Sequence, residues 1–465
     1  MRRKIPFICL LAMILVVALV AVAACTPTEQ EQPDAPESPS EPDEIQPSHP
    51  KHDFNAQNVC TDCGEVWEYT EGLEYTQNSD GTYTLTGQGV ASGEIVIPYG
   101  YNGQFVTAIG EGALRASETL YGVTIPSSVV AIGESSFAYC YGLWSVTFDS
   151  GSKLMSIQSE VFSYCINLRS IVIPENVTSI GDHAFSKCFL LKSINIPENV
   201  TSIGYCAFFD CDGLTSIIIP KSVTSIGDRA FDDCSNLEEI VVESSNTKYK
   251  SANYCIIEIE TKTLIWGSYK CIIPNDGSVT SIGASAFAAC DKLTSISIPE
   301  SVTVIGDEAF YLCRNLQTVT FDGDSNLTSI GYGAFGQCDK LTSISIPESV
   351  TVIGDGAFYL CRNLQTVTFD GNSNLTTIGE HAFFSCESLT SIIIPESVTS
   401  IGKLAFFYCW LINVTFENPN GWWIAEDSNA TSQTEIAAGD LADSTTAACY
   451  LKSTYLWYYW YRSES

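Results

Sequence analysis

The sequence predicts a β-rich repeat solenoid with short helical or 3-10 turns, capped at both ends. Three observations carry this expectation. The dipeptide Ile-Gly recurs eleven times between Ile109 and Ile401, and Ile157-Gln158 holds one further place, which makes twelve units. Successive units are 23 or 25 residues apart, except for one spacing of 56 between Ile226 and Ile282. Residues 291–338 and 339–386 are nearly identical 48-residue blocks, so one pair of units has been duplicated. A single core rarely grows to 465 residues, whereas an array extends by adding turns.

The chain begins with Arg2, Arg3 and Lys4, followed by an apolar run from Ile5 to Ala24. A basic start, an apolar core and small residues are the order of a secretory signal. The run ends Val22-Ala23-Ala24-Cys25, which resembles the bacterial lipobox. That resemblance implies removal of residues 1–24 and lipidation of Cys25. Residues 26–50 hold seven Pro and seven acids with no Lys or Arg. Such a segment has little to bury and its charges repel, so residues 25–50 are expected to be an extended acidic tether.

Residues 51–68 form a small Cys/His module. His49, His52, Cys60 and Cys63, followed by Gly64, have the spacing of a zinc knuckle. Zinc takes four N or S ligands, and four protein ligands would make the site structural. A Cys60–Cys63 disulfide is the alternative. Residues 69–108 are expected to hold an N-terminal β cap and the first repeat strand, with a hairpin about Asp80-Gly81.

The solenoid proper is assigned to 109–420. Each unit reads approximately LxSIxIPxSVTSIGxxAFxxC. In a strand Ile392 and Ile394 point the same way, and Pro395 ends it because Pro cannot donate to a ladder. Val398 and Ile401 turn inward from a second extended segment. Gly402 is read as the residue of a tight turn, and Ala405-Phe406 as a short helical turn driving Phe406 into the core. Five apolar positions, the Gly, the Ala-Phe pair and the Cys recur together. In this the units resemble the BspA-like, or Treponema pallidum-type, leucine-rich repeats, over about 320 residues. The resemblance implies a bacterial surface protein, several of whose relatives are adhesins.

The long spacing holds an insertion at about 243–278, read as a hairpin of Tyr254–Glu260 and Thr263–Gly267 projecting from the array. The tail, 421–465, is rich in Trp and Tyr and is expected to cap the last unit. A helix over 442–451 would lay an aromatic face on it; an aromatic binding module is the alternative.

Of the 19 cysteines, eleven occupy one repeat position, from Cys140 to Cys409. Parallel side chains one strand spacing apart suit buried thiols better than disulfides. Cys255 and Cys271 flank the insertion and are the pair considered for a bridge. His183 and His381 are read as solvent-facing, and Asp322 and Asp370 as turn residues rather than calcium ligands. No nucleophile motif, zinc-protease motif or phosphate loop is present. Acids outnumber bases 54 to 22, for a net charge of −32, which argues against nucleic acid and against direct binding to an anionic membrane.

Strand alternation puts one row of side chains outward. The candidate binding residues are Ser170, Val172, Ser193, Asn195, Ser216, Ile218, Glu239 and Val241. The row is small and hydroxylated, more apolar just before the insertion, and without the aromatic and Arg anchors of binding hot spots. The expected function is a cell-surface adhesion lipoprotein, not an enzyme. It would recognise a protein or glycan on a host or neighbouring cell and touch the membrane only through its lipid. An envelope spacer and a solute-capture lipoprotein are the alternatives.

Overall fold

The computed structural model describes residues 54–61, 64–428 and 433–463. The signal segment, Cys25, the tether, His49, His52 and Cys63 lie outside the described residues.

Each turn of the array contributes one longer strand and one two-residue strand, for example Ser193–Asn195 and Ser202–Ile203. Near-identical turns stacked in one direction place like on like. Ser170, Ile171 and Val172 pair in parallel with Ser193, Ile194 and Asn195, and Ser179-Ile180 pairs with Ser202-Ile203. Within a strand the alternation is clean: Ile171 and Ile173 are buried and Val172 between them is exposed. Pro174 ends the strand and opens a turn, closed by the Val177 amide donating to the Pro174 carbonyl at 3.0 Å.

The third side of each turn is not a helix. Amides of Ala184, Ser186 and Cys188 donate back three residues, as in a 3-10 turn, to the carbonyls of Gly181, His183 and Phe185. The alternate amides, of His183, Phe185 and Lys187, donate instead to Tyr205, Ala207 and Phe209 of the next turn. This split requires left-handed backbone at His183 (φ 54°) and Lys187 (φ 63°). Left-handed L-residues cost about 1–2 kcal/mol each, and the inter-turn hydrogen bonds offset that by leaving no buried amide unpaired. Glycine takes the His183 place in two later turns, at Gly333 (φ 57°) and Gly356 (φ 62°).

The Ile-Gly glycine has a different reason from the expected tight turn. Its φ is not left-handed, but a Cβ on Gly379 would lie 2.5 Å from both the Asp355 nitrogen and the Gly354 carbonyl carbon of the preceding turn. At Gly379 the stacked backbones approach too closely for a side chain.

Inside, phenylalanine rings stack turn on turn. Phe137, Phe162, Phe185, Phe208 and Phe231 follow one another at 5.4–5.7 Å. A second stack runs from Phe287 to Phe406 at 5.0–5.4 Å. The insertion separates them. It is a three-stranded meander, Tyr249–Ala252, Cys255–Glu258 and Thr263–Gly267, and it does not project. The last strand joins the short-strand sheet, pairing in parallel with Ser281–Ile282. Ile256 and Trp266 pack into the first core, and Cys255, Ile257 and Leu264 into the second. Strands apolar on both faces belong between two layers, which is why this segment replaces a turn of the stack. The Phe287 ring lies where a Gly267 Cβ would be, 2.2 Å from its Cε1.

At the N-terminal end Glu74–Gln77 and Tyr83–Gly87 pair as the hairpin about Gly81, and the second strand joins Gln104–Ile109. Phe54, Trp67 and Tyr99 meet at 4.9–5.2 Å, seating residues 54–67 against this cap. At the other end Tyr459–Arg462 pairs antiparallel with Ser400–Ile401, and Trp422 and Trp460 are buried beside Phe416. The aromatic contribution therefore comes from strands. Helices Ala438–Ala442 and Ser444–Cys449, with a π turn at Tyr450–Thr454, bury Leu441, Ala447, Ala448 and Leu451 instead. No helix of the described residues is long and apolar enough to cross a membrane.

Candidate binding face

The eight outward residues are exposed on the longer strands of four successive turns, two strands in one sheet and two in the next. Ser170 and Val172, Ser193 and Asn195, Ser216 and Ile218, and Glu239 and Val241 flank the buried positions of four successive strands. Parallel pairing aligns Ser216 with Glu239 and Ile218 with Val241. Val172 is 77% exposed, Ile218 57% and Val241 39%. Beyond the insertion the same places hold Ser295 and Ser297, Thr318 and Thr320, and Thr366 and Thr368. Ile393, in the last Ser-Ile-x-Ile strand, is the outward aliphatic of that half.

The repeat thiols have a defined partner. Ten of the eleven donate to a carbonyl of the preceding turn, that of its core Phe or, for Cys140, of Leu114 in the equivalent place. The Cys188 thiol reaches the Phe162 carbonyl at 3.3 Å and Cys409 that of Phe383 at 2.9 Å. Burial pushes Cys140 up to about 11 and Cys361 to about 12, and Cys165, Cys188 and Cys211 well above the ordinary thiol range. Reactivity belongs to the thiolate, so these groups are inert as nucleophiles in the folded chain. Cys255 and Cys271 are buried and unbonded, with the neighbouring Cys255 thiol and burial both raising Cys271.

His183 and His381 are half-buried rather than solvent-facing: the first packs edge-on to Tyr205 at 5.3 Å, the second lies 5.6 Å from Phe384. Burial lowers the His381 pKa. Asp322 and Asp370 accept hydrogen bonds from Ser297 and Ser345 across neighbouring turns, as loop anchors. Cys60 is buried in the small N-terminal module. Among the described residues no group of three or more His, Cys, Asp or Glu is arranged to hold a metal.

One set of surface residues went unread in the sequence. The position just before each outward pair holds Tyr121, Trp144, Arg169 and Lys192 in consecutive turns. Aromatic and cationic side chains are therefore present, one residue upstream of the row expected to lack them. The signal was available as a column at the repeat period, but attention to strand alternation passed over it.

Parallel strands, stacked turns and a buried aliphatic-Phe-Cys core define a leucine-rich-repeat solenoid. The chain matches the BspA type leucine rich repeat region, in six copies, over residues 95–188, 155–265, 265–374 and 323–421. It belongs to that family. It is similar to a leucine rich cell surface protein from Faecalibacterium prausnitzii, at 29% identity and a TM-score of 0.55, over 75% of this chain and 94% of that one. It is also similar in fold to the pneumococcal vaccine antigen PcpA, at 20% identity and a TM-score of 0.56, over 75% of this chain and 93% of that one. No curated protein matches the chain.

Proposed function

We propose that this chain is a lipid-anchored bacterial surface protein that binds a macromolecule of a host or neighbouring cell through the sheet face of its first block. The carrying observation is the exposed aliphatic row of Val172, Ile218 and Val241 on a wall otherwise made of small polar side chains. Burying such side chains against a partner releases water at about 25 cal/mol per Å² of apolar area. Broad solenoid walls suit large partners, and repeat arrays are typically interaction scaffolds. The similar Faecalibacterium chain is described as a cell surface protein, in keeping with this reading. The lipobox supports anchoring through Cys25. Binding rather than catalysis fits a surface whose repeat thiols are buried and protonated. An envelope spacer is the second reading, favoured by the near-duplicate blocks 291–338 and 339–386.

The test displays the chain on cells and measures retention on immobilised matrix proteins and co-resident bacteria. A V172E/I218E/V241E variant should fold normally, since these side chains leave the core. It should bind about tenfold more weakly or worse, because each carboxylate must be desolvated in the complex. Cys25→Ser should strip the chain from the cells and abolish their retention. Wild-type retention by the triple variant, or no retention by the wild type, would contradict the reading.

A further inference from the structure

The flank of the sheet differs between the two halves of the array. In the first half the column before the outward pairs climbs by backbone bonds: the Trp144 amide donates to Tyr121 at 2.9 Å, and Lys192 to Arg169 at 3.1 Å. Tyr121 is 48% and Trp144 42% exposed, and Tyr141, just after Cys140, is 48% exposed. Arg169 and Lys192 are also exposed. In the second half the same column holds Thr294, Gln317, Thr342, Gln365 and Thr390 and ends in exposed Ile412, with Gln317 donating to Thr294, Gln365 to Thr342 and Ile412 to Thr390. The rim beside it there is neutralised internally: Arg314 pairs with Asp291 at 3.3 Å, and Arg362 with Asp339 at 3.4 Å and Glu387 at 3.6 Å.

Arg169 and Lys192 have no such partners. Among the described residues neither lies within ion-pair distance of a carboxylate. Their strands are adjacent, so two like charges sit about 4.8 Å apart in backbone spacing, an arrangement that is destabilising in a sheet. This occurs in a chain with 54 acids and 22 bases, where a neutralising acid is the commonest charged neighbour. A carboxylate placed between the two from outside would pair with both and relieve that repulsion. Exposed Arg115, Lys153, Lys262 and Lys340 also lack an ion-pair partner among the described residues, but only Arg169 and Lys192 stand side by side beside exposed Tyr121 and Trp144.

The surroundings distinguish among anionic partners. Val172 stands outward in the strand after Arg169, and exposed Leu190 lies two residues before Lys192. Ser170, Ser193 and Asn195 could bond a glycan's hydroxyls, but Val172 and Leu190 beside them return no hydrogen bond and would strip water from it without compensation. Apolar side chains of a polypeptide suit those contacts, while Trp, Tyr and Arg are the residues that dominate protein interfaces. We propose that Tyr121, Tyr141, Trp144, Arg169, Lys192 and Val172 form a docking surface for an acidic polypeptide segment, one that carries carboxylates beside apolar side chains. This rests on the reading of the first block as a recognition face and names the chemistry of its partner.

The test selects a displayed library of random peptides on the full chain, with a soluble polyglucuronate as a second probe. Enriched peptides should carry Asp or Glu next to Leu, Ile or an aromatic, and should bind less tightly as salt is added. An R169A/K192A variant should bind them about tenfold more weakly or worse, and R314A/R362A should bind them as the wild type does. The assignment is overturned by no enrichment, by enriched peptides without an excess of acids, or by acidic peptides that R169A/K192A holds as well. It is overturned equally if the polyglucuronate binds in an R169A/K192A-sensitive way and peptides do not. Should peptides fail while matrix proteins or cells are still retained through Val172, Ile218 and Val241, the docking surface is wrong and the recognition reading survives. Loss of both refutes both.

Discussion

A recurring residue announces that a position matters before it says why. The Ile-Gly glycine and the repeat cysteine were both legible as fixed places in a period, but their physical causes lie between turns. No single unit contains the neighbour that makes a Cβ on Gly379 collide, because that neighbour is the backbone at Gly354 and Asp355. Nor does a unit contain the carbonyl that the Cys409 thiol caps, which is Phe383 in the turn before. Gly379→Ala should therefore lower stability by about 1–3 kcal/mol, the usual cost of overpacking. Gly439→Ala is the control: a Cβ there meets nothing within 4 Å, and a helical Ala should stabilise by about 0.5–1 kcal/mol. Thermal midpoints of the two variants check this, the first falling and the second holding or rising. Trp144 and Arg169 were missed for a related reason. Period-2 logic sorts residues inside a strand, and these stand one place before it.

At the scale of elements, regular strands were readable and their departures from regularity were not. The alternation of the SIxI strands and of their SVTF and TVTF counterparts places Ser or Thr outward and Ile or Val inward. The Ala-Phe segment, in contrast, has the composition of a helix start, yet its alternate amides bond to the next turn. Only the presence of that next turn decides between the two. The insertion was read as projecting because its turn signals mark a hairpin. Its Cys255-Ile256-Ile257 run is apolar on both faces, and that is the mark of a layer between two cores. The C-terminal cap shows the same dependence on neighbours. Trp460 is buried on the last turn beside Phe416 and Trp422, delivered by the strand that pairs with Ser400–Ile401. Trp460→Ala should cost about 3–5 kcal/mol locally. Turns of a solenoid contact mainly their neighbours, so the loss should not spread evenly. Limited proteolysis should cut first near residues 400–425 while 95–240 stays protected. Uniform loss of protection would mean that the array unfolds as one body.

The whole array consists of two cores that meet at the insertion, one reaching from Leu73 to Trp266 and the other from Cys255 to Trp460. Their surfaces have diverged. The first half presents exposed aliphatics, aromatics and unpaired cations on one side of the sheet. The second repeats a hydroxylated wall with Arg–Asp pairs along its rim, up to its last turns, where Ile393, Trp410 and Ile412 are exposed. Duplication lengthens an array at little structural cost, since each added turn stacks in the same register. On the proposed function, recognition belongs to the first half and reach to the second. The most direct measurement compares two changes in one binding assay: deletion of residues 339–386, and the V172E/I218E/V241E variant. The deletion joins Cys338 to Glu387 as Cys386 is joined in the intact chain, so the register of the remaining turns is kept. The account predicts that the deleted chain binds its target as the intact chain does, while the charge variant loses about tenfold or more. Binding abolished by the deletion and unchanged in the charge variant would place the recognition surface in the duplicated turns and contradict the account.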